Sequence, residues 1–152
     1  MEPIFRSIHV GDPDIERAHA KCAETVYEFV GLVKSARDPV YMAKLRFKDP
    51  DLSEIERRDH LFYLWLSKVV YHEAEDMPSG IFFEVPEGFE KWHPVGKRLG
   101  FDPEDVFDWM AIDSDEHMRG GYSIRVHRNR LKSEDEKEKY DDYIGVKSYG
   151  PV

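Results

Sequence analysis

Cysteine is nearly missing from this chain: Cys22 is the only one among 152 residues. One thiol closes no internal disulfide and seeds no Cys/His zinc set, so the fold must rest on burial, and the expected compartment is a reducing cytoplasm. Long apolar runs are missing too. The best of them, Leu61 to Tyr71, is interrupted by Ser67 and Lys68 and is shorter than the roughly 20 residues a membrane helix needs. Met1 to Arg6 lacks a basic stretch followed by an apolar one, so no signal peptide is expected there. Positive charge is in deficit, with 22 Lys plus Arg against 31 Asp plus Glu and a formal charge of −9. Such a chain repels phosphate backbones and disfavours nucleic acid as a partner. Gly80, Gly88, Gly96 and Gly100 are scattered rather than gathered into a phosphate-cradling loop, and no nucleophile elbow is present. No catalytic set, metal site or cofactor is expected.

What remains suffices for one domain, with a flexible start at about residues 1–11. Hydrophobic residues make up 41% and aromatics 13% of the chain, enough for a core at this length. Asp12-Pro13-Asp14 is a helix start, because Asp12 can cap free N–H groups and Pro13 suits the first helical position. Ile15, Ala18, Cys22, Val26, Phe29, Val30 and Val33 recur three and four apart and form one apolar stripe. Val40 to Phe47 reads as a strand with Tyr41, Ala43, Leu45 and Phe47 on one face and Lys44 and Arg46 on the other. Asp49 to Asp59 reads as a charged loop with one helical turn. Leu61 to Tyr71 reads as a central strand, with Phe62, Leu64 and Leu66 opposite Tyr63, Trp65 and Val69. Gly80 to Val85 is a third strand, and Glu87 to Gly100 a loop crossing the sheet end. Asp105 to Ile112 and Gly121 to Arg128 read as a β-hairpin around the polar tip Asp113 to His117. Ser133 and Glu136 form a capping box that opens a last helix ending near Asp142, with an apolar tail, Tyr143 to Val146, that can dock. The expected class is α+β: a curled, mostly antiparallel sheet of about five strands packed by the N-terminal helix, with a short C-terminal helix. A partly closed barrel is the alternative.

Phe107-Asp108-Trp109-Met110, Gly120-Gly121-Tyr122-Ser123-Ile124-Arg125 and Arg128-Asn129-Arg130-Leu131 resemble the core pattern of the bacterial domain of unknown function 2314 family. Tyr140 to Val146 resembles the tail of one branch of it, and Leu64-Trp65-Leu66-Ser67 and the first helix also fit. Asp49 to Asp59 is longer than the family's turn, and Glu84-Val85-Pro86 stands where an Asn-containing turn is expected. The resemblance implies a compact α+β domain in a bacterial cytoplasm. It carries over no catalytic residue.

The remaining candidates concern binding. His72-Glu73 with Glu75-Asp76 is the nearest approach to a zinc-hydrolase spacing, but Asp stands where the second His belongs, so a solvated acidic turn is the expectation. Asp108 lies on a core-facing strand and needs partners. Arg125, on the supposed facing strand, can supply a bidentate contact that either fixes the hairpin register or charges a pocket floored by Trp109. Arg119, Arg125, His127, Arg128, Arg130 and Lys132 form the one basic concentration. The leading expectation is an acidic protein-interaction module, of an accessory or immunity type, that meets a basic partner protein through acidic surface and the aromatics Tyr71, Trp92 and Tyr149. The alternative is a small-ligand binder or enzyme with a site near Trp65, Trp92, Asp108, Trp109 and Arg125.

Overall fold

Asp12 starts the first helix as its sequence suggests. In the computed structural model, which describes residues 11–151, its carboxylate accepts the backbone N–H of Asp14 and of Ile15 at the head of α1 (Pro13–Ser35). Ala36, in the left-handed conformation, closes the helix by donating to the carbonyls of Leu32 and Val33. The expected stripe is the buried face, from Ile15 through Val33, except that Val30 at its margin is only half-buried. There follow β1 (Val40–Lys48), α2 (Pro50–Glu56), β2 (Leu61–His72), β3 (Met77–Phe82), β4 (Arg98–Gly100), β5 (Val106–Ile112), β6 (His117–Gly120), α3 (Tyr122–Asn129), α4 (Glu134–Ile144) and β7 (Ser148–Tyr149). The flexible start expected at about residues 1–11 falls, apart from Gly11, outside the described residues.

The fold is α+β with one open sheet of seven strands in the order β4-β3-β2-β1-β5-β6-β7. All neighbours run antiparallel except β6 and β7. Five strands, and a barrel, were too few and too closed. The extra strands are short edge pieces whose ladder bonds leave no hydrophobic pattern to read: β4 lies within the expected loop, and β7 at the end of the chain. Asp49 to Asp59 holds a true helix, since Asp49 caps Leu52 N–H and Pro50 sits in the first turn.

The sheet is covered on both faces. One core gathers the α1 stripe with Tyr41, Ala43, Leu45, Leu64, Leu66, Phe82 and Trp109. The other gathers Met42, Trp65, Met110, Ile112, Met118, Ile124 and Val146, with Tyr140 and Ile144 of α4 packed on it. The apolar tail does dock, through Val146. Val69 belongs with Leu64 and Leu66 rather than with Trp65. The register of β2 against β3 shifts between Ser67 and Val70, and Lys68 takes a φ of 50°, which resets the in–out alternation.

The main correction concerns the hairpin. Its return strand is only the four residues of β6, and the segment expected to be strand, Gly121 to Arg128, is helix α3. Gly120 and Gly121 both have positive φ, 73° and 64°, and swing the chain off the sheet immediately after β6. Gly120 has no room for a side chain either: a Cβ there would stand 2.6 Å from the Trp109 ring. Gly120→Ala is therefore expected to cost on the order of 3 kcal/mol, from left-handed strain and overpacking together. A urea melt in which this variant matches the parent would refute the reading.

Candidate functional site

Asp108 is wholly buried and does not pair with Arg125. One carboxylate oxygen accepts the N–H of Trp109 at 2.8 Å and of Tyr122 at 3.1 Å; the other accepts Ser123 N–H at 2.8 Å and the Ser123 hydroxyl. The Tyr122 and Ser123 N–H groups are free amides at the head of α3, whose own cap residue, Gly121, has no side chain to offer. A strand residue thus caps the helix that follows the turn. Lys44 lies directly opposite Asp108 in the β1–β5 register and is itself 3% exposed, although alternation assigned it to a polar face. Burial raises the Asp108 pKa above the ordinary carboxylate range, with the Lys44 charge and the hydrogen bonds opposing. Burial likewise lowers that of Lys44, with Asp108 opposing.

Arg125, half-buried on α3, donates instead to the carbonyls of Gly120 (2.9 Å), Gly150 and Met118. It ties the glycine turn to the C-terminal segment, and its guanidinium lies over Tyr149. Trp109 stacks on Phe29 at 5.2 Å, meets Tyr122 edge-on, and donates its indole N–H to the Thr25 hydroxyl at 3.0 Å. That hydroxyl also meets the Tyr122 hydroxyl at 3.0 Å, which ties α1 to α3. Asp108, Trp109 and Arg125 therefore gather at the base of α3. Trp65 lies in the other core, and Trp92 packs on Phe89 in the segment before β4. The five are not one site. Tyr71, Trp92 and Tyr149, expected to be exposed, are half-buried, and cations of Lys34, Lys91 and Arg128 lie over their rings.

The structure also opens a groove that the sequence did not suggest. It has a volume of about 660 Å³ and runs between the first half of α1 and the exposed side of α3. Asp14, Arg17, Ala18 and Lys21 form one wall; Tyr122, Arg125, Val126 and Asn129 form the other, with Arg130 at the end. Four of these residues are cationic and one is acidic. Ala18, Tyr122 and Val126 supply an apolar floor. Arg130 is held by Asp12 in a two-pronged contact of 2.6 and 2.8 Å and by Asp14 at 3.0 Å. The Arg130 bond holds the Asp12 carboxyl down to about 2. Elsewhere the basic concentration is also engaged: Arg119 pairs with Asp38, and Arg128 pairs with Asp141 through two bonds. The missed signal was helical spacing. Arg17 and Lys21 stand one turn apart on α1, as do Arg125 and Asn129 on α3.

The chain's sequence matches the family described as an uncharacterized protein conserved in bacteria, DUF2314, over residues 12–148. It belongs to that family. No curated protein and no solved structure matches it. Among the residues quoted above for the family resemblance, Tyr122, Arg125, Asn129 and Arg130 line the groove. No described helix is long and apolar enough to cross a membrane.

Beside the Lys44–Asp108 pair, the His19 ring packs between Tyr63 and Phe107, each at 5.1 Å. Its Nε2 is buried with no hydrogen-bond partner among the described residues. Burial, aided by the charges of Lys44 and Arg46, lowers its pKa from 6.5 to about 4. The folded protein therefore resists protonation that the unfolded chain accepts, and stability present above about 6.5 should fall as pH drops toward about 4. His19→Gln should flatten much of that slope, leaving the smaller part due to His93, which is shifted in the same direction. Urea midpoints measured across this window check it. An unchanged slope in the variant would show that His19 is not responsible.

Proposed function

We propose that this protein works by binding, and that its ligand is a small molecule carrying negative charge, held in the groove between α1 and α3. The observation that carries this is a local reversal of charge. In a chain of net charge −9, Arg17, Lys21, Arg125 and Arg130 converge on one concave surface lined by one acid, Asp14, with Asp12 bonded to Arg130 beside it. Such a concentration focuses a positive field where the rest of the molecule repels anions, so the selectivity is local. The volume suits a metabolite-sized ligand, and an apolar floor with a few placed polar groups is the usual composition of such sites. At about a hundred times its dissociation constant, a ligand adds about 2.7 kcal/mol, which for a chain of this size raises Tm by roughly 5–10 °C. A thermal-shift screen of anionic metabolites should find such a compound, and Lys21→Glu should abolish the shift while melting like the parent. A silent screen, or a shift that Lys21→Glu preserves, would count against the groove.

A second reading has its own support. Helix α4 exposes Glu134, Asp135, Glu136, Glu138 and Asp142, while its two lysines are engaged by Glu134 and Asp135. This face suits a protein partner with a basic surface, the accessory or immunity-type role. Such a partner should be captured at low salt, released as salt rises, and lost on reversing Glu134, Asp135 and Glu138 to Lys. Capture indifferent to salt and to the reversal would refute this reading.

A further inference from the structure

Two carboxylates face the cations of the groove, and they are held very differently. Asp12 is fixed: its side chain is 13% exposed, caps α1 through the N–H groups of Asp14 and Ile15, and takes both prongs of Arg130. Asp14 has no such duty. Its side chain is 48% exposed, and its two oxygens are divided between two arginines, one bonded to Arg17 and the other to Arg130 at 3.0 Å. A carboxylate bridging two guanidinium groups at the mouth of a cationic groove offers them what the head of an anionic ligand would offer.

We infer that Asp14 is an internal competitor for this groove, and that the ligand is a compact oxyanion head, a phosphate or carboxylate, which displaces Asp14 from Arg17 and Arg130. The inference rests on the groove reading given above. Geometry favours the exchange. The planar forks of Arg17 and Arg130 match a multi-oxygen head, and Lys21, one turn along α1 from Arg17, adds a point charge on the same wall. Exposed pairs of the Asp14 kind hold weakly, so the carboxylate can turn into solvent at little cost. Arg130 keeps Asp12 throughout and stays aimed. The body attached to the head would then lie on Ala18, Tyr122 and Val126. Asp14 thereby sets a threshold: a dianionic phosphate gains more from the arginines than the single charge it replaces, whereas a carboxylate head draws its advantage from Lys21 and the apolar floor.

The test uses the full chain and inorganic phosphate, followed by amide and guanidinium NMR shifts. Asp14→Asn should bind phosphate roughly three- to tenfold more tightly than the parent, the range expected for releasing exposed ion pairs. Asp14→Ser, also suited to a first helical turn, should do the same if the Asn variant is destabilised. Glu16→Gln removes a charge from the same turn outside the groove and should change affinity less than about twofold, as screening of separated surface charges requires. Equal affinity in parent and Asp14→Asn, with Lys21→Glu abolishing it, would overturn the competitor and leave the groove standing. Equal tightening by Glu16→Gln would reduce the effect to net charge and overturn it too. Binding to none of these proteins would overturn both the competitor and the oxyanion groove.

Discussion

Much of this molecule depends on one carboxylate. Asp108 sits where a strand faces the core, and besides the Trp109 N–H it takes the Tyr122 and Ser123 donors left over at the head of a helix that has no other cap. Without it, a buried turn of α3 would hold unsatisfied amides, each a serious penalty in a dry interior. Without α3, the Thr25 hydroxyl, which takes the Trp109 indole N–H, would lose its bond to the Tyr122 hydroxyl and α1 would lose its tie to α3. The groove has α1 and α3 as its walls, so its shape descends from the same contact. Lys44, facing Asp108 across the ladder, keeps the negative charge from standing alone in low dielectric.

How much of this could be read in advance follows from how local each cause is. Helix α1 carries its stripe, cap and starting proline in consecutive residues, so its bounds are legible. The same holds for α4, where Ser133 accepts from Glu136 N–H as expected, although the Glu136 carboxylate accepts the Lys132 N–H in return. Strands β1 and β2 were legible in position, but the local bulge at Lys68 hid the phase of β2. The cause of α3 is not local. Tyr122, Ile124 and Val126 favour strand by composition, and the residue that makes the segment helical is 14 positions upstream of Tyr122.

That one error propagates. With Gly121 to Arg128 taken as strand, Arg125 faced Asp108, and the cations of α1 and α3 had no reason to meet. As a helix, the segment turns Arg125 toward backbone carbonyls and brings Arg130 across to the first turn of α1. The individual basic residues were visible, but their convergence was a tertiary fact. Residue type groups Trp65 and Trp92 with Trp109, but alternation across a two-faced sheet separates Trp65 from it.

The solitary thiol has a use of its own. Cys22 is fully inaccessible on the buried face of α1, its sulfur donates toward the Val106 carbonyl of β5 at 3.4 Å, and burial pushes its pKa above the ordinary thiol range. In the native state it is neither thiolate nor reachable, and an alkylating reagent finds nothing to attack. Reactivity arises only when α1 lifts from the sheet. This chain therefore carries a built-in clock for that opening, readable by mass in an unmodified sample and free of competing signals because no second cysteine exists.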